Sequence, residues 1–167
     1  MSFRVGIGWD RHPLAPGHTC ILGGVHFDTS PVGPVGHSDG DAVCHAFGDA
    51  LLGAAGLGDI GQHFPDTDPQ WAGADSLELL GRMVDMVQGA GYRVGNADCT
   101  VITEQPRIAP RAADMRDRLA PVLGIDSRDV SIKATRGEGV GPEGRQECIT
   151  VVAVVMIETT SYRRNRR

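Results

Sequence analysis

The sequence predicts one mixed α/β layer, in which a β-sheet packs against three helices. Stretches rich in β-branched and aliphatic residues alternate with stretches of helical periodicity, and glycine or proline marks most boundaries between them. The chain has 167 residues, which is enough for one hydrophobic core but not for two independent ones. Strands that alternate with helices within a single domain are typical of this layered architecture.

In the first half of the chain, turn residues and a helix cap define the expected elements. Alternating apolar residues predict a strand over 3–8, and the prolines and glycine at 13–17 predict a loop after it. Gly23-Gly24 between two apolar triplets is typical of a hairpin. After a second loop over 31–36, Ser38 or Asp39 can cap a helix that continues to the glycines just beyond residue 55.

The second half predicts two helices and three strands. We expect helices over 74–88 and 107–123, and strands over 92–103, 130–135 and 148–158. The last strand has few polar interruptions, so both of its faces require cover. The helices can cover one face, and we expect another subunit on the other. A strand buried fully within one monomer is the alternative.

Composition excludes several classes of protein. A formal net charge of −5 argues against nucleic-acid binding, which normally requires a basic face. No apolar stretch approaches the ~20 residues of a membrane span, and no signal-like segment opens the sequence. The four cysteines form no Cys-x-x-Cys pair, so we expect a cytoplasmic chain with reduced, buried thiols. The basic run at 163–167 is expected to be a flexible, solvated tail rather than a binding arm.

An Asp-x-His pair and a helical histidine predict a metal site. Asp10 and His12 are two residues apart on a strand, so their side chains point the same way. His45 follows on the first helix, between Asp41 and Asp49 at four-residue steps. Imidazole nitrogens with one carboxylate suit zinc, and other divalent transition metals bind such a set as well. Three protein ligands with an open position are typical of a catalytic centre.

Two glycine-rich segments carry further candidate residues. In the first, Asp59 is suited to accept hydrogen bonds from a polyol, whereas Asp66 and Asp68 either bind a ligand or form turn hydrogen bonds before a proline. In the second, Lys133 to Glu138 suits a phosphate with magnesium. A solvated glycine loop is the alternative there. No motif for a covalent nucleophile is present in the sequence, so metals and positioning are expected to carry any catalysis.

Together these segments resemble the 2-C-methyl-D-erythritol 2,4-cyclodiphosphate synthase family. Its Ser-Asp-Gly-Asp-x-x-x-His block, here Ser38 to His45, is highly specific. The segments occur in the family's order and spacing between about residues 3 and 158: Asp10-Arg11-His12, His37 to Ala46, Leu57 to Gly61, Phe64 to Asp68, Lys133-Ala134-Thr135, and Gly144-Arg145 with Glu147. The resemblance therefore assigns a synthase domain to residues 1–158 and leaves 159–167 as the tail.

The resemblance implies an α+β fold, with a mixed β-sheet that carries three helices on one face. Three such sheets would pack around a homotrimer axis, with active sites between subunits. The implied substrate is 4-diphosphocytidyl-2-C-methyl-D-erythritol 2-phosphate, whose 2-phosphate attacks its own β-phosphorus. A 2,4-cyclic diphosphate forms and CMP is released, in non-mevalonate isoprenoid precursor biosynthesis.

The resemblance also implies roles for individual residues. Asp10, His12 and His45 would hold zinc, and Glu138 would hold magnesium or manganese at the substrate diphosphate. His37, Thr135 and Asp10 are the expected catalytic residues. The expected substrate contacts are Asp10, His12, His37, Ser38, Asp59, Gly61, Asp66, Thr103, Pro106, Arg107, Ile108, Ala109, Ala134, Thr135, Arg136, Glu138 and Arg145; those from Thr103 to Ala109, with Ala134 and Thr135, would form the cytidine pocket.

Two positions depart from the family's pattern. Arg136 stands in its usual hydroxyl run, where it either contacts the diphosphate through a charge-assisted fork or points into solvent. Pro142 stands where the family often has an aromatic residue, which argues against an apolar ligand on the trimer axis. Arg145 and Glu147 remain and could form an ion-pair ring there.

Two rival functions are a zinc phosphohydrolase or cyclase for another nucleotide diphosphate, and a trimeric metal- or nucleotide-binding regulator.

Overall fold

The computed structural model describes residues 2–160. The basic run at 163–167, for which a flexible tail is predicted, lies outside the described residues. The strands are β1 (Phe3–Pro16), β2 (Ile21–Leu22), β3 (Val25–His26), β4 (Val32–Pro34), β5 (Tyr92–Ile102), β6 (Val130–Thr135) and β7 (Cys148–Thr159). The helices are α1 (Ala42–Ala55), α2 (Ile60–His63), α3 (Ser76–Gly89), α4 (Ala112–Leu123) and α5 (Gly141–Gly144).

The main sheet is mixed, as predicted. Its strand order is β4-β1-β7-β5-β6. β1 and β7 pair antiparallel from Phe3 opposite Glu158 to Pro13 opposite Cys148, and β5 pairs antiparallel with β7. β5 and β6 are parallel, with α4 in the connection between them, as a parallel pair requires. The two short strands β2 and β3 form the predicted hairpin.

The long helices pack on one face of this sheet, with α1 against β1 and β7, α3 against β5 and α4 against β6. Helix α1 approaches β1 closely because β1 presents glycine there. A Cβ atom at Gly6 would lie 1.9 Å from the carbonyl oxygen of Ala50, and one at Gly8 would lie 1.9 Å from that of Ala46. Phe47 and Leu51 of α1 are fully buried in the core between helix and sheet. This contact fixes α1, and with it His45, over β1.

The opposite face of the sheet is apolar and exposed within one chain. The alternate residues Phe3, Val5, Ile7 and Trp9 of β1 are 53–69% exposed, and Val154 of β7 is 40% exposed. Large contiguous apolar patches are uncommon on proteins that work as monomers. The sheet therefore has one face covered by helices and an opposite face that is uncovered, within the described residues, along the stripe from Phe3 to Trp9.

Two predicted loops are strands. The segment 13–17 continues β1 as far as Pro16, because residues 14–16 pair with β4. The segment 31–36 contains β4 itself, at the sheet edge where the prolines of either strand can be tolerated. The amide of Val35 donates to the carbonyl of Pro13 at 2.8 Å. Proline indicated a break in both places, but the pairing of two distant segments decided the conformation.

Helix starts also differ from the predictions. Helix α1 begins after Asp41, whose side chain accepts from the amides of Val43 and Cys44; the cap is thus neither Ser38 nor Asp39. Helix α3 is capped by Asp75, and α4 begins five residues later than expected, after a 3-10 turn at Ala109–Arg111. The short helices α2 and α5 have four residues each, too few for their periodicity to be recognised. Strand β7 extends to Thr159, one residue into the predicted tail.

The cysteines agree with the prediction of reduced thiols, since Cys20, Cys44, Cys99 and Cys148 are all free and buried. Among the described residues, none of the helices has both the length and the apolar character that a membrane span requires.

Candidate functional site

The structure brings the three predicted metal ligands together. Asp10 and His12 lie on the face of β1 that is turned towards α1, where Gly6 and Gly8 also lie, and His45 is on the first turn of α1. One potential ligand atom from each of the three residues lies within 4.8 Å of the others. The close glycine contact between β1 and α1 thus positions the site.

The distances suit a divalent ion. His12 Nε2 lies 2.9 Å from Asp10 Oδ2 and 3.0 Å from His45 Nδ1, and His45 Nδ1 lies 3.4 Å from Asp10 Oδ2. Tetrahedral ligands about 2.0–2.1 Å from zinc would lie roughly 3.3 Å apart. Although these contacts are short, Asp10 Oδ2 is buried and forms no well-oriented hydrogen bond within residues 2–160. An unsatisfied carboxylate oxygen facing two imidazole nitrogens is well suited to bind a cation.

Electrostatics at the triad favour a charged carboxylate. Burial opposes ionisation of Asp10, but its contacts with His12 and His45 outweigh burial and hold the pKa of Asp10 below its usual range. Burial likewise opposes protonation of His12, but the neighbouring Asp10 carboxylate raises the pKa of His12. A cation in place of these protons would preserve the attraction, because the ligand atoms already converge.

Residues behind the triad orient it. His12 Nδ1 lies 2.9 Å from the carbonyl oxygen of Val35, so this nitrogen donates and Nε2 faces the other ligands. Asp41 is fully buried and also accepts from the amides of Gly23 and Gly24, which ties the β2–β3 hairpin to the start of α1. No sequence signal points to Ser76, which contacts His45, because only the fold brings residues 31 positions apart into contact.

A cavity of about 390 Å³ opens beside the triad. His37, Ser38, Gly61 and Asp66 line it, as expected of residues that contact substrate. Asp59 does not line it; its carboxylate accepts from the backbone and side chain of Gln62 and caps α2. The remaining lining residues are Ile60, Phe64, Trp71 and Leu79, an apolar wall that the sequence analysis did not identify.

A second cavity, of about 180 Å³, is lined by the residues for which a cytidine pocket is predicted. Its lining residues are Thr103, Glu104, Pro106, Arg107, Ile108, Ala109, Ala134, Thr135 and Arg136. Arg136 neither extends freely into solvent nor is left unpaired, because its Nε donates to Glu104 Oε2 at 2.8 Å. Glu104, which the sequence analysis missed, is only 8% exposed. Both members of this ion pair line the pocket.

The two cavities have no lining residue in common. In the sheet, Asp10 of β1 pairs with Val151 of β7, and Val151 pairs with Val101 of β5. Val101 in turn pairs with Ala134 of β6. Three strand spacings of ~4.8 Å therefore put the two regions about 14 Å apart across the sheet.

Glu138 and Arg145 belong to neither cavity. Glu138 is exposed, in a turn with a positive φ of 51°. Arg145 donates from Nε to Glu147 at 2.7 Å in its own chain. Both lie in the segment between β6 and β7.

The fold and the site define an α+β domain with a three-ligand centre of the kind that binds a divalent metal. The YgbB family matches residues 3–158, and the chain belongs to this family. Its curated relatives include enzymes named 2-C-methyl-D-erythritol 2,4-cyclodiphosphate synthase, so the predicted family is confirmed.

Relatives of two lengths match. The enzyme of Symbiobacterium thermophilum with that name is 54% identical over 92% of this chain and 97% of its own length. That of Thermosynechococcus vestitus is 49% identical over 95% of this chain and 98% of its own. The bifunctional enzyme IspD/IspF of Anaeromyxobacter dehalogenans is 51% identical over 91% of this chain, which spans only 39% of that relative's length.

Solved structures agree with the fold. The bifunctional IspDF from Campylobacter jejuni has a TM-score of 0.91 at 35% identity, over 96% of this chain and 43% of that one. A 2C-methyl-D-erythritol-2,4-cyclodiphosphate synthase in a form bound to CDP has a TM-score of 0.85 at 35% identity, over 93% and 100% of the two chains.

Proposed function

We propose that this chain converts 4-diphosphocytidyl-2-C-methyl-D-erythritol 2-phosphate to the 2,4-cyclic diphosphate in the cytoplasm, with release of CMP. An oxygen of the 2-phosphate forms a bond to the β-phosphorus. The bond from that phosphorus to the oxygen bridging to the α-phosphate breaks, and the electron pair leaves with CMP. The attacking phosphate is already ionised at neutral pH, so no general base is required. The observation that carries this proposal is the convergence of Asp10, His12 and His45 in a chain of the YgbB family.

The donor set of the triad fits zinc or another divalent transition metal, and Glu138 with the substrate diphosphate would hold magnesium or manganese. When bound, the two metals would neutralise phosphate charge that otherwise keeps attacking and accepting phosphates apart. His37 and Ser38, on the wall of the larger cavity, would bind the 2-phosphate. The Gly61 backbone would contact the methylerythritol, with Asp59 beside it.

The smaller cavity would bind the cytidine. Residues from Thr103 to Ala109 line it together with Ala134 and Thr135. Thr135 and Arg136 would lie next to the diphosphate, with the Arg136 guanidinium held by Glu104. Holding both phosphates of one substrate in place gives intramolecular attack an advantage of up to ~7–11 kcal/mol.

We further propose a homotrimer in which each active site lies between two subunits. The separation of the two cavities across the sheet supports this arrangement, because a neighbouring chain could bring its nucleoside cavity next to the metal. The exposed apolar stripe from Phe3 to Trp9 supports it independently, since three such faces could pack around one axis.

The experiment is turnover of the diphosphocytidyl substrate with zinc and magnesium, followed by phosphorus NMR. We expect the cyclic diphosphate and CMP in equal amounts, and neither product from the His45→Ala variant. CMP without the cyclic product would mean hydrolysis and would contradict the proposed placement of the 2-phosphate. No reaction by zinc-loaded protein would favour a binding role instead.

A further inference from the structure

The two ring nitrogens of His45 have different surroundings. Nδ1 faces the other two ligands of the triad. Nε2, on the opposite side of the ring, lies 3.0 Å from Ser38 Oγ and 3.0 Å from Ser76 Oγ. A histidine nitrogen must be unprotonated to bind a metal. The single proton of the neutral ring therefore lies on Nε2, with two serine hydroxyls competing to accept it.

Asp39 fixes Ser76 as an acceptor for this proton. Ser76 Oγ lies 2.5 Å from Asp39 Oδ1, and a carboxylate can only accept, so the Ser76 hydroxyl donates to Asp39. The oxygen of Ser76 then presents its lone pairs to His45 Nε2. Ser76 is completely buried, so water does not compete for either bond.

Ser38 is placed differently. It lines the larger cavity, whereas Ser76 does not, and its hydroxyl is 3.3 Å from Ser76 Oγ. Within residues 2–160 no carboxylate accepts from the Ser38 hydroxyl. With Ser76 accepting from His45, the Ser38 hydroxyl hydrogen is available to a ligand in the cavity.

We propose that Asp39 and Ser76 are positioning residues that hold His45 in the Nε2–H form with Nδ1 turned to the metal, and that Ser38 is thereby left to bind a substrate phosphate oxygen. The proposal rests on the metal centre of the proposed function and deepens it. Hydrogen bonds from a ligating histidine to a second group fix its tautomer and orientation, and their loss typically weakens metal binding about 10- to 100-fold.

The Ser76→Ala variant tests this relay of hydrogen bonds, from His45 through Ser76 to Asp39, with little effect on the fold. The amide of residue 76 still donates to Asp39 Oδ2, as Ser76 does at 3.1 Å, so the start of α3 keeps its tether. Zinc affinity would be measured by competition with a chromophoric chelator, together with the melting temperature of the metal-free proteins. We expect Ser76→Ala to bind zinc about 10- to 100-fold more weakly and Ser76→Thr, which keeps a hydroxyl, to bind more tightly than Ser76→Ala.

Ser38→Ala is the matched control, because it removes the other hydroxyl at the same distance from Nε2. We expect its zinc affinity to stay close to that of the wild type, while KM for the substrate rises. Equal zinc affinity in wild type and Ser76→Ala, or a larger loss in Ser38→Ala than in Ser76→Ala, would overturn the relay but leave the metal centre intact. Failure of the wild type to bind zinc would overturn the centre itself, and the relay with it.

Histidine NMR of the zinc-loaded wild type gives a test that needs no variant. Long-range proton–nitrogen correlations distinguish the two tautomers, and we expect the ring proton of His45 on Nε2. A proton on Nδ1 would overturn the assignment.

Discussion

Single side chains react according to their surroundings, and the cysteines provide a direct test. Burial raises the pKa of Cys20 to about 11 and that of Cys99 to about 12. Only the thiolate reacts with disulfide reagents, and at pH 8 a pKa of about 11 leaves roughly one Cys20 thiol in a thousand ionised. Cys44 is fully buried beside the Asp41 carboxylate, which adds to the effect of burial on its pKa.

We therefore expect the native protein to react slowly with a chromogenic disulfide at pH 8, and the unfolded chain to react rapidly. The count after unfolding should be four thiols per chain, since all four cysteines are free. Following absorbance with and without denaturant measures both values. One thiol per chain that reacts quickly in the native protein would contradict the burial of these side chains.

The metal triad could be predicted from sequence because each of its two parts has a local sequence signal. Asp10 and His12 share a strand face at a spacing of two, and His45 lies in a specific motif. The contacts of Ser76 with Asp39 and His45 carry no such signal, because a serine at a helix start is ordinary capping chemistry. The partner of Arg136 is likewise 32 residues away, at Glu104, and no spacing rule connects them.

At the scale of elements, the contact between β1 and α1 determines the geometry of the site. Replacing Gly8 with alanine would place a Cβ atom 1.9 Å from the carbonyl oxygen of Ala46, next to His45 in the helix. We expect Gly8→Ala to lose about 1–3 kcal/mol of stability and to bind zinc more weakly, because α1 must move away from β1. Urea unfolding of the metal-free protein and zinc competition measure the two effects.

Gly53, which lies in α1, is the matched control for Gly8. Nothing lies within 4 Å of a Cβ atom built there, so alanine is expected to add roughly 0.5–1 kcal/mol through its better helix propensity and to leave zinc affinity unchanged. Unaltered stability and zinc affinity in Gly8→Ala would refute the role given to this contact.

The segment that carries α5 contacts β1, the strand of Asp10 and His12, on the face of the sheet opposite the long helices. Arg11 lies between two ligands of the triad and donates from Nη2 to Glu143 Oε1 at 2.6 Å. Thr150 Oγ1 donates to the same oxygen at 2.6 Å. These contacts lower the pKa of Glu143, although burial opposes the shift. The hydrogen bond from Thr150 contributes most, then the backbone amide of Glu143, and then Arg11.

A depressed carboxyl pKa stabilises the folded state above the unfolded pKa, and the contribution disappears as pH falls through the folded value. We expect Glu143→Gln to lose about 1 kcal/mol at pH 7 and to approach wild-type stability below about pH 4. Glu147→Gln, in an exposed pair with Arg145, should change stability little at either pH. Denaturant unfolding at one fixed chain concentration is the measurement, and a Glu143→Gln deficit that persists at low pH would contradict this account.

Element types could be predicted, whereas several boundaries could not. The three long helices and the strand β6 follow from periodicity and β-branched runs. The second half of β1 and the whole of β4 form because two proline-containing segments pair with each other. Local residue preferences do not encode such pairing, so both segments were predicted to be loops.

At the scale of the whole molecule, the exposed apolar face and the separated cavities lead to the same expectation of a shared active site. Two inactive variants with defects in different cavities test it. His45→Ala removes a proposed metal ligand, and Ala134→Trp fills the smaller cavity, proposed to bind the nucleoside, from an exposed position. Each variant alone is expected to be inactive but folded.

Co-refolded in equal amounts, the two variants should regain activity if each site joins the metal centre of one chain to the nucleoside cavity of its neighbour. A site is then intact when an Ala134→Trp chain supplies the metal and a His45→Ala chain supplies the pocket. In randomly assembled trimers this occurs at about a quarter of the sites, so about a quarter of wild-type turnover is expected. A site built within one chain would always contain one defect, and the mixture would then be as inactive as its parents.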